Sequence, residues 1–329
     1  MWATRCATRW IRRRRCADNG GGYYYDIYRK KHAIYTFSPS HAPVCRAASG
    51  DTVTFETYDC FQGQLLPEGT TFADIDRKLA NPATGPLYVE GAKKGDVLKV
   101  DILDIQLDPV GVLDIGPNSA AFKGMFPETV INRMPVENGC VRYKGHEIPM
   151  QPMVGVIGVA PESGEVSTLT PMDHGGNMDC TKIEAGVSLY LPVNAAGALL
   201  AMGDLHAIMG DGEVGNCGVE IGGRVTVRVT VLPGLGLAYP MIENGSQWIT
   251  IAYGDTLDEA GEKSVRQMHG FLASFAGLDP VDAAVLIDML GNMAVCQIVN
   301  PKKTVRLEFP RSILEKGGFS GLAPAETRL

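Results

Sequence analysis

Hydrophobic and polar residues alternate along much of the chain between residues 32 and 235, which is the pattern of half-buried β-strands. The alternation is clearest over residues 52–57, 97–105 and 224–232. Glycine-containing turns separate such runs, and Gly222-Gly223 predicts a two-residue hairpin between the strands on either side of it. We therefore expect a large β-rich body over residues 32–235.

The pattern changes to a helical one after residue 235. Thr256 and Glu259 have the spacing of a capping box, and apolar residues then recur at helical spacing, which predicts a helix over 257–275. Asp279 followed by Pro280 predicts the start of a second helix that ends near residue 290. A last strand is expected over 304–309. These elements predict a smaller α+β lobe over 236–329, and the fold class as a whole is mainly β.

Residues 1–31 differ from the rest of the chain. They hold nine Lys and Arg against two Asp and Glu, with four arginines in a row at 12–15 and a low-complexity stretch at 20–25. An Arg-rich, acid-poor start is typical of an organellar transit peptide. The competing interpretation, which we prefer, is an upstream reading-frame artefact with the true start near Tyr28. Both interpretations predict a disordered or non-native extension without a chemical role.

Charge and cysteine usage narrow the function classes. The net charge of the chain is −7, and residues 32–329 alone carry 21 basic and 35 acidic residues, a net of −14. A body this acidic is a poor partner for nucleic acid. No apolar run approaches the roughly 18 to 20 residues that span a bilayer. Eight cysteines without Cys-x-x-Cys spacing predict reduced thiols in a cytoplasmic protein.

Two of the six histidines lie in glycine-rich turns next to carboxylates. His174 precedes Asp179, and His206 follows Asp204. If the strands that lead into these turns end at one rim, the side chains form a mixed His/Asp metal site. Such a site, with one open position, activates water for hydrolysis. The alternative is that each histidine is a satisfied structural residue.

Several other side chains are candidates for chemistry. Glu213 closes a Gly-Asp-Gly-Glu turn, where it is either a general acid or base or a solvated loop residue. Asp59 belongs to a polar cluster directly after a strand. Glu90 interrupts an apolar strand, so it should be paired or lie at a site. Cys180 and Cys217 are rival nucleophiles, although inert packing is the commoner role of cysteine.

Five motifs, in order and at family spacing over residues 31–315, resemble those of the acetamidase/formamidase family. Together they are far more specific than any one of them alone. They are the runs Phe55 to Phe61, Asn81 to Ala92, His174-Gly175-Gly176-Asn177-Met178-Asp179, Leu189 to Val193, and Gly203-Asp204-Leu205-His206-Ala207 with Gly210-Asp211-Gly212-Glu213. The chain departs from the family pattern in its N-terminal extension and in Met172-Asp173 before the histidine.

The resemblance implies a β-sandwich plus a small β-barrel-like part with the C-terminal α+β lobe. It also implies hydrolysis of acetamide or formamide, bound zinc or in some members calcium, and a homo-oligomer. His174 and Asp179 match one motif, and His206 and Glu213 match the last pair of motifs.

The resulting hypothesis is a metal-assisted amidohydrolase. We expect Asp59, His174, Asp179 and His206 as metal ligands and Glu213 as the group that moves the proton. Backbone amides of Gly175 and Gly176 would hold the oxyanion. The alternatives are a cysteine-dependent amidase that uses Cys180 or Cys217, and a non-catalytic β-sandwich module that binds a ligand.

Overall fold

The structure is a computed structural model that describes residues 14–15, 23–27 and 29–322. Strands take up 41% of the described residues and helices 15%, so the predicted mainly β class is confirmed. The strands are β1 Arg14–Arg15, β2 Tyr23–Ile27, β3 Ala33–Ile34, β4 Thr36–Phe37, β5 Cys45–Ala47, β6 Thr52–Thr57, β7 Ala83–Val89, β8 Val97–Leu107, β9 Val110–Ile115, β10 Val130–Glu137, β11 Cys140–Tyr143, β12 His146–Pro149, β13 Met153–Gly158, β14 Val166–Ser167, β15 Gly175–Asn177, β16 Ser188–Pro192, β17 Ala198–His206, β18 Glu220–Ile221, β19 Gly223–Leu232, β20 Met241–Glu243, β21 Gln247–Gly254, β22 Asn292–Gln297 and β23 Lys303–Pro310. The helices are α1 Arg29–His32, α2 Leu257–Ser274, α3 Pro280–Leu290 and α4 Arg311–Lys316, with 3₁₀ turns at Arg77–Leu79 and Ala120–Phe122.

Within the described residues, the strands form two large sheets and one two-stranded sheet. The first large sheet has ten strands in the order β1-β2-β6-β19-β8-β16-β20-β21-β23-β22. The second has eleven strands, with the path β12-β11-β10-β9-β18-β17-β13-β15; β7 joins it by pairing with β17, and β3 and β5 pair with β7. Because β7 branches the second sheet in this way, the expected barrel-like part is not a closed barrel in the described chain.

The two large sheets pack face to face around one apolar core. Phe55 and Val227 from the first sheet and Leu87 and Leu205 from the second belong to the same cluster of buried side chains. Alternation along β6 and β19 puts their apolar residues on this inner face. The expected sandwich is thus present, with β17 and β18 near the middle of the second sheet.

A second core lies under the C-terminal helices. The Thr256 hydroxyl accepts from the backbone N–H of Glu259 at the start of α2, and the Asp279 carboxylate caps α3 ahead of Pro280, as the sequence predicts. Trp248 and Phe271 pack against each other with ring centroids 5.0 Å apart. No helix in the described part of the chain is long and apolar enough to cross a bilayer.

One sequence interpretation needs correction, and two others stay predictions. The hairpin predicted at Gly222-Gly223 is wrong, because β18 pairs in the second sheet and β19 in the first, so the chain crosses between sheets there. Most of the expected disordered stretch 1–31 lies outside the described residues. The described part, however, includes β2, which pairs in parallel with β6 and buries Ile27. The boundary at 235/236 stays a prediction, and the first sheet continues across it through the pairing of β16 with β20.

Candidate active site

Strands β17 and β18 bring an imidazole and two carboxylates together in the second sheet. Asp204 and His206 are two residues apart on β17, so their side chains lie on the same face. Glu220 on β18 is the register partner of His206. The His206 Nε2 atom lies 3.0 Å from Glu220 Oε1 and 3.7 Å from Asp204 Oδ1, and all three side chains are buried.

Asp179 reaches the same place from the turn after β15. Its Oδ2 atom accepts a hydrogen bond of 2.6 Å from the Asn300 side-chain amide, which also donates to the carbonyl of Asn177 at 3.1 Å. Gly155 on β13 leaves the room for this carboxylate. A Cβ atom at position 155 would collide with Asp179 Oδ1 and would lie 2.8 Å from Asp204 Oδ2. The close approach of two carboxylates therefore depends on the absence of a side chain at residue 155.

The turn that carries Glu213 is held by the last strands of the fold. Asp211 forms a bidentate ion pair with Arg306 on β23, with bonds of 2.8 and 2.7 Å, and accepts from the Thr181 hydroxyl at 2.8 Å. The Gly212 N–H donates to the carbonyl of Cys296 on β22 at 2.9 Å. The position of Glu213 therefore depends on both parts of the chain.

Three acidic residues of this cluster have left-handed backbone conformations. The φ angles are 43° at Asp179, 57° at Asp204 and 46° at Glu213. Such conformations are unfavourable for residues with a Cβ and cost about 1–3 kcal/mol each. Their concentration at one point indicates that packing around the cluster forces these carboxylates to converge.

The converging side chains form three overlapping donor groups whose ligand atoms lie within 4.8 Å of one another. The groups are Asp179, Asp204 and His206; His206, Glu213 and Glu220; and Cys60, Asp204 and Glu220. Several of these buried atoms that could ligate a metal have no hydrogen-bond partner in the described structure. They are His206 Nδ1, Asp179 Oδ1, Glu213 Oε2 and Glu220 Oε2. Nitrogen and carboxylate donors left unpaired in a buried cluster fit a divalent cation such as zinc.

The electrostatics of the cluster reflect an excess of buried negative charge. Burial and the neighbouring Asp204 raise the pKa of Asp179 to about 7, and burial raises that of Glu220 to about 8. Burial and Asp179 raise the pKa of Glu213 well above its ordinary value. Burial lowers the pKa of His206, but Glu220 and Asp204 outweigh it and raise this pKa well above normal. Either protons or a cation must offset the charge of four buried carboxylates.

A cavity of about 490 Å³ opens above the cluster. Asp204, Glu213 and Glu220 line it, together with a set of side-chain amides from separate parts of the chain. These amides are Asn81, Asn118, Asn177, Asn216 and Asn300. The Oδ1 atoms of Asn81 and Asn177 are buried and have no hydrogen-bond donor in the described chain. The cavity thus offers free acceptors beside groups of raised pKa.

The structure places four of the predicted site residues elsewhere. His174 is buried with its ring edge-to-face on Phe37, 5.0 Å between centroids, and burial lowers its pKa to about 4, so it is neutral at pH 7. No donor group in the described residues includes His174 or Asp59. The Asp59 carboxylate instead accepts from the N–H groups of Phe61 and Gly63 at 2.8 Å. Asp59 therefore has hydrogen bonds that explain its burial, whereas the buried Nε2 atom of His174 has no hydrogen-bond partner in the described chain.

Gly175 and Gly176, expected to hold an oxyanion, lie in the ladder between β15 and β13. The Gly175 N–H donates to the Met172 carbonyl at 3.1 Å, and neither glycine lines the cavity. The geometry therefore does not bring these two backbone amides to the cluster. Of the residues expected from the sequence, Asp179, His206 and Glu213 do meet there.

The two cysteines considered as nucleophiles differ in position. Cys180 is fully buried and does not line the cavity. Cys217 lines the cavity, but burial and the negative charges of Glu220 and Asp114 raise its pKa well above the ordinary value. A thiol that stays protonated is a poor nucleophile.

Glu90, which interrupts an apolar strand, forms a 3.2 Å surface ion pair with Arg46.

Four residues of the site were not identified as functional from the sequence. Asp204 was noted only as a neighbour of His206, and Asn177 only as part of a motif. Glu220 had a usable signal, because it is a charged residue between Val219 and Ile221 in an apolar strand. Asn300 had none, since its role follows from a hydrogen bond to Asp179, 121 residues away.

A cavity with perturbed acid–base groups at its floor, in a β-sandwich with a helical lobe, defines an enzyme active site. The model of the acetamidase/formamidase family matches residues 28–166 and 162–270. The chain belongs to the acetamidase/formamidase family.

Individual relatives agree with this placement. A formamidase from Methylophilus methylotrophus is 26% identical over 70% of this chain and 74% of its own length. The crystal structure of an acetamidase from Bacillus halodurans is 41% identical with a TM-score of 0.86, covering 89% of this chain and 99% of that one. A predicted acetamidase/formamidase from Thermoanaerobacter tengcongensis is 40% identical with a TM-score of 0.87, covering 91% and 99%.

Proposed function

We propose that the chain hydrolyses short aliphatic amides, such as formamide and acetamide, to the carboxylate and ammonia. The observation that carries this proposal is the buried cluster of Asp179, Asp204, His206, Glu213 and Glu220 at the floor of a cavity with free amide oxygens. Membership of the acetamidase/formamidase family supports it.

The substrate amide has two N–H donors and one carbonyl acceptor. Asn81 and Asn177 each present a buried Oδ1 atom without a donor, and both line the cavity. These oxygens suit the N–H groups of a primary amide, because each accepts one hydrogen bond that the free protein leaves unmade. A bound amide is thereby oriented with its nitrogen toward the two asparagines.

Glu213 is the group best suited to move the proton. It lines the cavity, and its raised pKa makes the ionised carboxylate a stronger base than an exposed glutamate. The water oxygen forms a bond to the carbonyl carbon, and Glu213 takes the proton that the water loses. Glu213 then gives this proton to the amide nitrogen as the C–N bond breaks, which yields the carboxylic acid and ammonia.

A metal ion fits the donor set that the structure presents. Asp179, Asp204 and His206 would hold it, and zinc suits one imidazole with carboxylates, whereas calcium suits the oxygen donors alone. When bound, such an ion acts as a Lewis acid and lowers the pKa of coordinated water. Glu220, 3.0 Å from His206, orients the imidazole.

An ammonia-release assay on formamide, acetamide and propionamide tests the reaction. Glu213→Gln should lower kcat for acetamide by about 10²–10⁴-fold, the usual contribution of an acid–base group. Glu162→Gln, the same change at an exposed carboxylate that pairs with Lys94, is the matched control. If Glu213→Gln turns acetamide over at the wild-type rate, Glu213 is not the proton carrier.

The metal is tested separately. Chelator-treated protein should lose its activity and its bound metal, measured by elemental analysis, and zinc add-back should restore both. Full activity in metal-free protein would remove the metal from the proposal and leave amide hydrolysis standing.

A cytoplasmic location and a homo-oligomer remain predictions from the sequence.

The two alternative functions lack a supporting observation. A cysteine-dependent amidase would need a thiolate beside the substrate. Cys180 does not line the cavity, and burial together with the neighbouring carboxylates raises the pKa of Cys217 well above its ordinary value. A module that only binds a ligand would not need Glu213 at the cavity floor with a raised pKa. Metal-assisted amide hydrolysis needs no thiolate and gives Glu213 a role.

A further inference from the structure

The cavity is several times larger than formamide or acetamide. Its volume is about 490 Å³. At about 30 Å³ per heavy atom, the liquid volume of one water molecule, acetamide with its four heavy atoms takes up about 120 Å³. Most of the cavity therefore remains free when acetamide lies on the donor cluster, and the lining of the remaining space determines what it accepts.

That lining includes an apolar wall, which we define as Phe61, Phe72, Ile75 and Leu169. Phe61 and Phe72 pack edge-to-face with ring centroids 5.6 Å apart. Leu169 comes from a different loop and is 41% exposed. These side chains present apolar surface to the cavity that nothing in the described chain covers.

The apolar wall begins directly beside the donor cluster. Phe61 follows Cys60, and the Cys60 sulfur lies within 4.8 Å of carboxylate oxygens of Asp204 and Glu220. An amide group placed on the cluster therefore has its acyl substituent within reach of Phe61.

The loop that carries Phe61 and Phe72 is fixed by hydrogen bonds. The Asp59 carboxylate accepts from the N–H groups of Phe61 and Gly63, both at 2.8 Å. The Arg133 guanidinium donates at 3.0, 2.7 and 3.1 Å to three carbonyl oxygens of this loop, those of Leu66, Pro67 and Thr70. A wall held in this way is preorganised, so an apolar ligand does not have to order it.

We propose that the apolar wall is an acyl subsite, and that the enzyme acts best on primary amides with a longer apolar acyl group, such as hexanamide or phenylacetamide. This inference rests on the proposed amide hydrolysis and names the substrate class of the same site. The amide end binds at Asn81 and Asn177, and the acyl group displaces water from Phe61, Phe72 and Leu169. Burial of each methylene group contributes a factor of about 4.

The test compares kcat/KM for ammonia release across acetamide, butyramide, hexanamide and phenylacetamide with the wild-type protein. We expect kcat/KM to rise along the aliphatic series, by up to about 250-fold from acetamide to hexanamide, at about fourfold for each of the four added methylenes. Hydrolysis of acetamide with equal or slower hydrolysis of the longer amides overturns the subsite and leaves the proposed function intact. Absence of hydrolysis with every amide refutes the proposed function itself.

Variants of the wall separate binding from folding. Phe72→Ala should lower kcat/KM for hexanamide and phenylacetamide by at least about tenfold more than it lowers kcat/KM for acetamide. Phe126→Ala is the matched control, because Phe126 also packs on another phenylalanine but does not line the cavity. Leu169→Ser provides a second variant at a partly exposed position. Equal losses for acetamide and hexanamide in both wall variants would overturn the proposal.

Discussion

Gly155 leaves the space that two carboxylates of the active site occupy. A Cβ atom there would collide with Asp179 Oδ1 and would lie 2.8 Å from both Asp204 Oδ2 and the Asp204 carbonyl oxygen. Ordinary van der Waals contact begins at 3.4 Å, so the Asp204 carboxylate would have to retreat by about 0.6 Å and Asp179 by more. The substitution Gly155→Ala therefore separates donor atoms of Asp179, Asp204 and His206 that now lie within 4.8 Å.

We expect Gly155→Ala to lower kcat/KM for acetamide by about 100-fold, because displacing reacting groups by about 1 Å costs that much. Overpacking should also lower the free energy of unfolding by about 1–3 kcal/mol. Ammonia release measures the first effect and urea unfolding the second. Gly245→Ala is the matched control, because a Cβ at residue 245 meets nothing within 4 Å and its φ is ordinary.

The two measurements can disagree in an informative way. If Gly155→Ala is less stable than the wild type but hydrolyses acetamide normally, the positions of Asp179 and Asp204 do not matter for catalysis. Wild-type values in both measurements would show that the chain relaxes around the added methyl group, and the structural argument for a crowded donor cluster would be refuted. Gly245→Ala should leave both quantities unchanged.

Three further predictions test other parts of the site. Asn177→Ala should lower kcat/KM more for acetamide than for N-methylacetamide, because it removes an acceptor for an amide N–H; equal losses would indicate a structural role only. Burial opposes the ionisation of Asp211, but hydrogen bonds from Arg306 and Thr181 hold its pKa below the ordinary value. The contribution of Asp211 to stability is therefore complete above about pH 4 and is lost as the pH falls through the lowered pKa. Asp211→Asn should be less stable than the wild type by about 1–3 kcal/mol at pH 7. This loss is smaller than for a fully buried pair, because the Asp211 side chain is 43% exposed. Urea unfolding should show the difference in stability disappearing below about pH 4. Iodoacetamide at pH 7.5 should inactivate the enzyme at least about tenfold more slowly than it alkylates free cysteine, because the raised pKa of Cys217 leaves little thiolate. Rapid inactivation that substrate prevents would restore the cysteine mechanism.

Much of the fold was predictable because it follows from local signals. The strand predicted at 52–57 is β6, and those predicted at 97–105 and 224–232 are β8 and β19 within two residues at each end. The capping residues Thr256 and Asp279 mark the starts of α2 and α3. Alternation and capping are properties of neighbouring residues. The failure at Gly222-Gly223 has the opposite cause, since two adjacent strands join different sheets and only long-range pairing decides that.

The site was predictable only in part for the same reason. Asp179 and Glu213 stand in glycine-rich turns, and His206 ends the glycine-containing strand β17. The composition of these segments already indicates function. Glu220 acquires its role from its register opposite His206, and Asn300 from a contact across 121 residues. His174 has the same local surroundings as His206 but points against Phe37. Local sequence could not distinguish the two histidines, because burial of one beside carboxylates is a property of the sheet.

The anchoring of the Glu213 turn has a consequence for recombining members of this family. The family model matches this chain only up to residue 270, yet Asn300 and Arg306 hold Asp179 and Asp211 in place. The C-terminal lobe is therefore not an exchangeable module. A chimera joined near residue 235 should stay active only if the parent of its N-terminal part supplies Asp179 and Asp211 and the parent of its C-terminal part supplies Asn300 and Arg306. In ancestral or designed family members, the residues on the two sides of these contacts have to be chosen together.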